Sequence, residues 1–199
     1  METMRRVLRH VRRIVDGARS LGFTPAFPEF GPHLEPTDDD RRDVVRLDQQ
    51  SGGLPAALRA CMSVVGAVDL SGDCPPLKLY YYDPEWDENE IPIYPDPLAL
   101  PSVRQLRDVW DVYYQPGESF RFDFAPDDIH KANTSGDVQV MVLPSLLADP
   151  VIENVRGRAE ITLVEYLRLS VAWGGCPGWR FAPEHSPAAL EPLRAAPEF

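Results

Sequence analysis

The chain has 199 residues with 20 basic and 31 acidic side chains, a net charge of −11 at neutral pH. A surface of that sign attracts basic protein and repels nucleic acid, and no apolar run approaches the ~18 residues of a membrane span. Three cysteines (Cys61, Cys74, Cys176) without a C-x-x-C pair read as reduced thiols, which excludes a disulfide frame or a zinc site.

The charge is unevenly spread. Residues 1–20 hold six arginines (Arg5, Arg6, Arg9, Arg12, Arg13, Arg19) against Glu2 and Asp16, a balance of +4, which leaves −15 for residues 21–199. In this stretch Met4, Val7, Leu8, Val11, Ile14, Val15 and Ala18 recur at helical spacing, so residues 1–22 are predicted as a basic amphipathic helix. Such a helix can lie on an anionic surface. With −15 next door, packing on the body is the expected outcome, the arginines facing the body's carboxylates. The stretch also lacks the apolar core of a secretion signal, and a cytoplasmic protein is expected.

Residues 23–36 are rich in Pro and aromatics and read as an ordered strap. Thr37 followed by Asp38, Asp39 and Asp40 starts a helix that runs to about Gln50, because acids favour the positive helix end. Leu54-Pro55 opens a second helix, closed by Gly66. Residues 77–82 (LKLYYY) are predicted as a strand, with another short one at Leu98–Leu100. Ser102 caps a helix through Tyr113. Phe120, Phe122 and Phe124 alternate with Arg121 and Asp123 as a half-buried strand, and Val138–Leu143 is predicted as a buried strand. Thr162 and Glu165 form a capping box before a helix that stops at Gly174-Gly175. The Pro/Ala-rich tail, residues 182–199, is expected to fray. Residues 37–181 then form one α+β domain with a mainly antiparallel sheet flanked by helices.

Two segments concentrate polar chemistry. Asp83, Glu85, Trp86, Asp87, Glu88 and Glu90 place an aromatic inside a run of carboxylates, with no basic residue between Lys78 and Arg104. Calcium is not favoured: a loop starting at Asp83 has Glu88 where an EF-hand requires glycine. Such a run can be simply a solvated loop tip; an exposed aromatic with a charged rim is also how interface anchors look, which makes this segment the candidate surface for a basic protein partner. The second segment, residues 127–136, gathers His130, Lys131, Asn133 and Ser135 in a loop between strands, where catalytic groups often sit. Asn, Ser and Gly also serve a turn that bonds its own backbone, and no nucleophile elbow, zinc motif or phosphate loop accompanies them. Cys176 follows a helix C-terminus, which raises a thiol pKa. The histidines have no ligand spacing, and neither metal nor cofactor is implied.

Several blocks together resemble the SUKH superfamily, the immunity-protein and cell-wall-assembly-regulator group. They are Leu54-Pro55-Ala56-Ala57-Leu58 with Val64-Val65-Gly66-Ala67-Val68, then Asp96-Pro97-Leu98, the His130–Gly136 loop, and Tyr166-Leu167-Arg168-Leu169 leading to Trp173-Gly174-Gly175. The similarity spans about residues 50–181. It implies a non-enzymatic α+β domain that neutralises a toxin, often a nuclease, by binding it. The expectation is therefore an immunity-type inhibitor of a basic protein toxin. The alternatives are a hydrolase or transferase using the His130-Lys131-Asn133 loop, or an adaptor acting through its N-terminal helix.

Overall fold

The computed structural model describes residues 1–81, 94–115 and 118–199. The fold is α+β, with antiparallel strand pairing and an N-terminal helix. Helix α1 (Glu2–Ser20) leads into short strands β1 (Thr24–Pro25) and β2 (His33–Leu34), then helices α2 (Asp38–Gln50) and α3 (Ala56–Val64). Strands β3 (Ala67–Asp69), β4 (Gly72–Asp73) and β5 (Ala99–Leu100) precede helix α4 (Val103–Tyr113). A four-stranded meander follows: β6 (Phe120–Pro126), β7 (Val138–Leu143), β8 (Val151–Val155) and β9 (Arg158–Thr162), closed by helix α5 (Leu163–Ala172).

The helix starts are made by the residues that signal them. Thr37, Ser102 and Thr162 each accept a hydrogen bond from the backbone N–H three residues on, and the side chains of Asp40, Gln105 and Glu165 in turn accept one from the cap's backbone N–H. Each reciprocal pair satisfies two of the donors that a helix start leaves open.

Period-2 alternation sends Phe120 and Phe122 of β6, Met141 and Leu143 of β7, Ile152 of β8 and Ile161 of β9 into the core. Arg121, Asp123 and Glu160 face solvent. A register shift between Asp123 and Ala125 buries the consecutive Phe124 and Ala125, which is what a bulge permits. The helices supply the other half of this core through Val44, Leu58, Met62, Leu106, Leu167 and Val171, among others.

Helix α1 packs on the body. Met4, Val7, Val11, Ile14 and Val15 are buried in the main core, each contributing roughly 1.5–3 kcal/mol by apolar burial. Its arginines do not chiefly meet the body's carboxylates as expected. Arg12 forms a two-pronged pair with Glu35, both contacts at 2.7 Å. Arg5 and Arg6 turn to Glu2, and Arg19 to Asp16, on the same helix. Arg6 and Arg13 donate to the carbonyls of Glu198 and Leu193 in the tail.

The expected fraying of the tail is not observed. Residues 183–185 and 188–193 form 3-10 turns, and Leu190 and Leu193 enter a second apolar cluster with Phe23, Leu77, Leu79 and Trp179. The Arg194 guanidinium covers the Trp173 ring at 4.2 Å, and Arg168 Nε donates to Phe199 O at 2.6 Å. The spacing of Leu190 and Leu193 gives the tail an apolar side, which its Pro/Ala content masks.

The strand predicted over 77–82 is also absent from its described part. Pro75-Pro76 begin a 3-10 turn that ends in Lys78 at φ +53°, and one bridge joins Cys74 to Leu79. Consecutive prolines fix φ and remove two ladder donors. Conversely the β8–β9 hairpin was not anticipated from the sequence.

Candidate functional site

The loop after β6 bonds its own backbone. Asp127 accepts the His130 N–H at one carboxylate oxygen and the Asp137 N–H at the other, both at 2.8 Å. The Lys131 N–H donates to the Asp127 carbonyl, and Asn133 closes a 3-10 turn (His130–Ala132) at φ +56°. Asn tolerates this left-handed conformation better than most residues.

The four residues singled out in this loop diverge. His130 and Ser135 are exposed, and both carboxylate oxygens of Asp127 are occupied by backbone N–H groups. Lys131 points inward: its side chain is 0% exposed, with Nζ 2.6 Å from Asp96 Oδ1 and 3.5 Å from the Tyr166 hydroxyl. Asn133 reaches the other way and donates from Nδ2 to the Tyr81 carbonyl at 3.1 Å. His130, Lys131 and Asn133 thus do not converge on a common point.

Asp96 is buried and lies at φ +53° between Pro95 and Pro97. Its segment crosses the end of α5, where Gly178 N–H donates to Pro95 O and Leu98 N–H to Gly175 O. Burial alone would lower the Lys131 pKa, but the Asp96 charge and the Tyr166 oxygen reverse this and raise it. Lys131 therefore stays charged inside the protein. Burial pushes the Tyr166 hydroxyl up as well. Cys176 is buried, and burial first, then the Asp96 carboxylate, drive its thiol upward. It is a packing residue, as its position after a helix C-terminus suggested.

Asp83, Glu85, Trp86, Asp87, Glu88 and Glu90 lie outside the described residues, within 82–93. The described residues bordering them are informative. Tyr81 precedes the segment, bonded through its carbonyl to Asn133 and through its N–H to Asp73 Oδ1 at 2.6 Å. Asp96 follows it, bonded to Lys131. One turn, residues 130–133, therefore grips the chain on both sides of the acidic segment. Phe27 of the strap meets the Tyr81 ring edge-on at 5.7 Å and Phe30 at 6.3 Å, and both phenylalanines are more than a third exposed. The sequence named the two segments separately, and no short-range signal linked them.

No three His, Cys, Asp or Glu side chains among the described residues group to hold a metal ion. No described helix is long and apolar enough to cross a membrane. Comparison with protein families, curated proteins and solved structures gives no significant match.

Proposed function

We propose that this is a non-enzymatic binding protein that neutralises a basic protein, of the nuclease-toxin kind, by occluding it. The observation that supports the reading is the double grip on the acidic segment: Asn133 holds Tyr81 and Lys131 holds Asp96. Asp83, Glu85, Trp86, Asp87, Glu88 and Glu90 fall in sequence between those two fixed points. Fixed ends reduce the conformational freedom that a binding segment surrenders. The carboxylates would steer a cationic partner, and Trp86 would anchor it. The N-terminal arginines agree with this reading, since most already engage carboxylates and carbonyls of the same chain.

The test is capture of partners from native lysate at low and moderate salt. The intact chain is compared with a variant carrying Asn or Gln at Asp83, Glu85, Asp87, Glu88 and Glu90. A basic protein held by the intact chain, weakened by salt and lost by the variant is the expected result. Asn133→Ala should weaken the same complex without changing any charge. Equal capture by the neutralised variant overturns the proposal.

A further inference from the structure

A second charged feature has the opposite sign. Arg156 and Gly157 form the tip of the β8–β9 hairpin, with Val155 paired to Arg158. Gly157 has φ +71°, and a Cβ there would lie 2.3 Å from Cζ of Phe181. The tip thus rests directly on the Phe181 ring, as glycine alone allows. The Arg180 guanidinium sits 4.5 Å from the ring centroid and that of Arg156 5.6 Å. Arg180 Nη2 also donates to the Arg156 carbonyl.

The charges here do not cancel. Arg156 Nη1 lies 2.5 Å from Asp128 Oδ2. Arg158 is exposed, and its guanidinium makes neither an ion pair nor a hydrogen bond among the described residues. Glu160, two residues along β9, bridges to none of the three arginines. Three guanidiniums and the Asp128 carboxylate leave +2 at this spot, Asp96 nearby being balanced by Lys131, on a chain of −11. Burial first and the Arg158 charge second depress the Arg180 pKa, against the opposing charge of Asp96. The Phe181 ring packs against two of the guanidiniums, and Arg158 keeps its fork of donors free of side-chain partners among the described residues. Preset forks of this kind match tetrahedral oxyanions.

We infer that Arg156 and Arg180 on the Phe181 ring, with Arg158 at the adjoining start of β9, form a binding site for a phosphoryl-class oxyanion. The anion bridges the free fork of Arg158 and the remaining donors of Arg180, and its charge offsets the local +2. The same chemistry serves a small phosphate ester or a phosphorylated side chain of another protein.

The experiment titrates the full chain with inorganic phosphate at constant ionic strength, reading the Nε–Hε resonances of the three arginines, with chloride as control. Saturable shifts with phosphate and none with chloride are expected. Arg158→Gln removes no bond of the fold and should weaken binding about tenfold, with Arg158→Lys intermediate. A phosphoserine peptide that saturates at lower concentration than phosphate identifies a protein source; equal or weaker binding identifies a small phosphate. Either result supports the site. Non-saturable shifts, an equal response to chloride, or unchanged binding in Arg158→Gln overturns it. The acidic-segment variants play no part, so failure here is separate from failure of the proposed function.

Discussion

Lys131 and Asp96, 35 residues apart in sequence, meet in a buried ion pair of 2.6 Å. The pair joins the turn after β6 to the segment entering β5, and Tyr166 of α5 completes the contact. Truncating one partner strands the other charge. Lys131→Ala should cost about 3–5 kcal/mol in urea unfolding, and Asp96→Asn combined with Lys131→Met should cost less than the single change. Additive losses in that cycle would show that the two residues do not act as a pair.

Alkaline pH should destabilise the fold through its thiols. Cys61, Cys74 and Cys176 are buried, and burial pushes Cys61 up to about 12 and raises the other two. Above about pH 8.5 the unfolded thiols lose protons that the folded ones keep, so stability falls as pH rises toward 12. Each contributes at most about 1.4 kcal/mol per pH unit in that window. Melting temperature should drop between about pH 8 and pH 10.5, with a shallower slope in Cys61→Ala. Parallel slopes for the two proteins would contradict this.

Gln139 in β7 is buried, and neither of its amide atoms finds a hydrogen-bond partner among the described residues. An unsatisfied buried amide is unfavourable by about 1–3 kcal/mol. Gln139→Met, of similar volume, should raise stability by about 1–2 kcal/mol. A lower denaturation midpoint in this variant would refute the expectation.

Gly178, like Gly175, is a place where the chain after α5 touches the Asp96 segment. A Cβ there would sit 2.0 Å from the Tyr94 carbonyl oxygen and 2.6 Å from Pro95 C. Gly178→Ala must push that backbone aside, and should destabilise by about 1–3 kcal/mol. A melting temperature equal to that of the parent would argue against the close approach.

Leu193 lies against Gly17 of α1 and Gly174 beyond α5, and it is buried. Leu193→Ala should cost about 2–5 kcal/mol by chemical denaturation. A loss below about 0.5 kcal/mol would be the behaviour of an ordinary surface position and would return the tail to the frayed state its composition suggests.

Elements with local chemistry were legible in the sequence. The caps at Thr37, Ser102 and Thr162, the alternation of Phe120, Phe122 and Phe124, and the apolar face of α1 are encoded within a few residues. What was not legible depends on distant contacts. The β8–β9 hairpin is weakly encoded because Val151–Val155 and Arg158–Thr162 mix exposed charges with few core residues; the Arg156-Gly157 tip is its local signal. Leu77, Leu79 and Tyr80 read as a strand because an apolar run alone cannot separate a strand from a buried turn. Within the candidate site, the self-bonded turn was anticipated from Asn133, Ser135 and Gly136. The burial of Lys131 was not, since a lone lysine gives no hint that an aspartate 35 residues earlier will meet it.

The contact of α1 with the tail has a bearing on how the protein is made. Gly17 and Arg13 need Leu193, and Arg6 reaches Glu198. Helix α1 is thus completed by residues synthesised about 180 positions after it. Until those residues leave the ribosome, part of its apolar stripe has nothing to lie against. Closure of this fold therefore joins segments far apart in the chain, and a chain lacking Leu190 and Leu193 would expose a face of α1 that the tail covers.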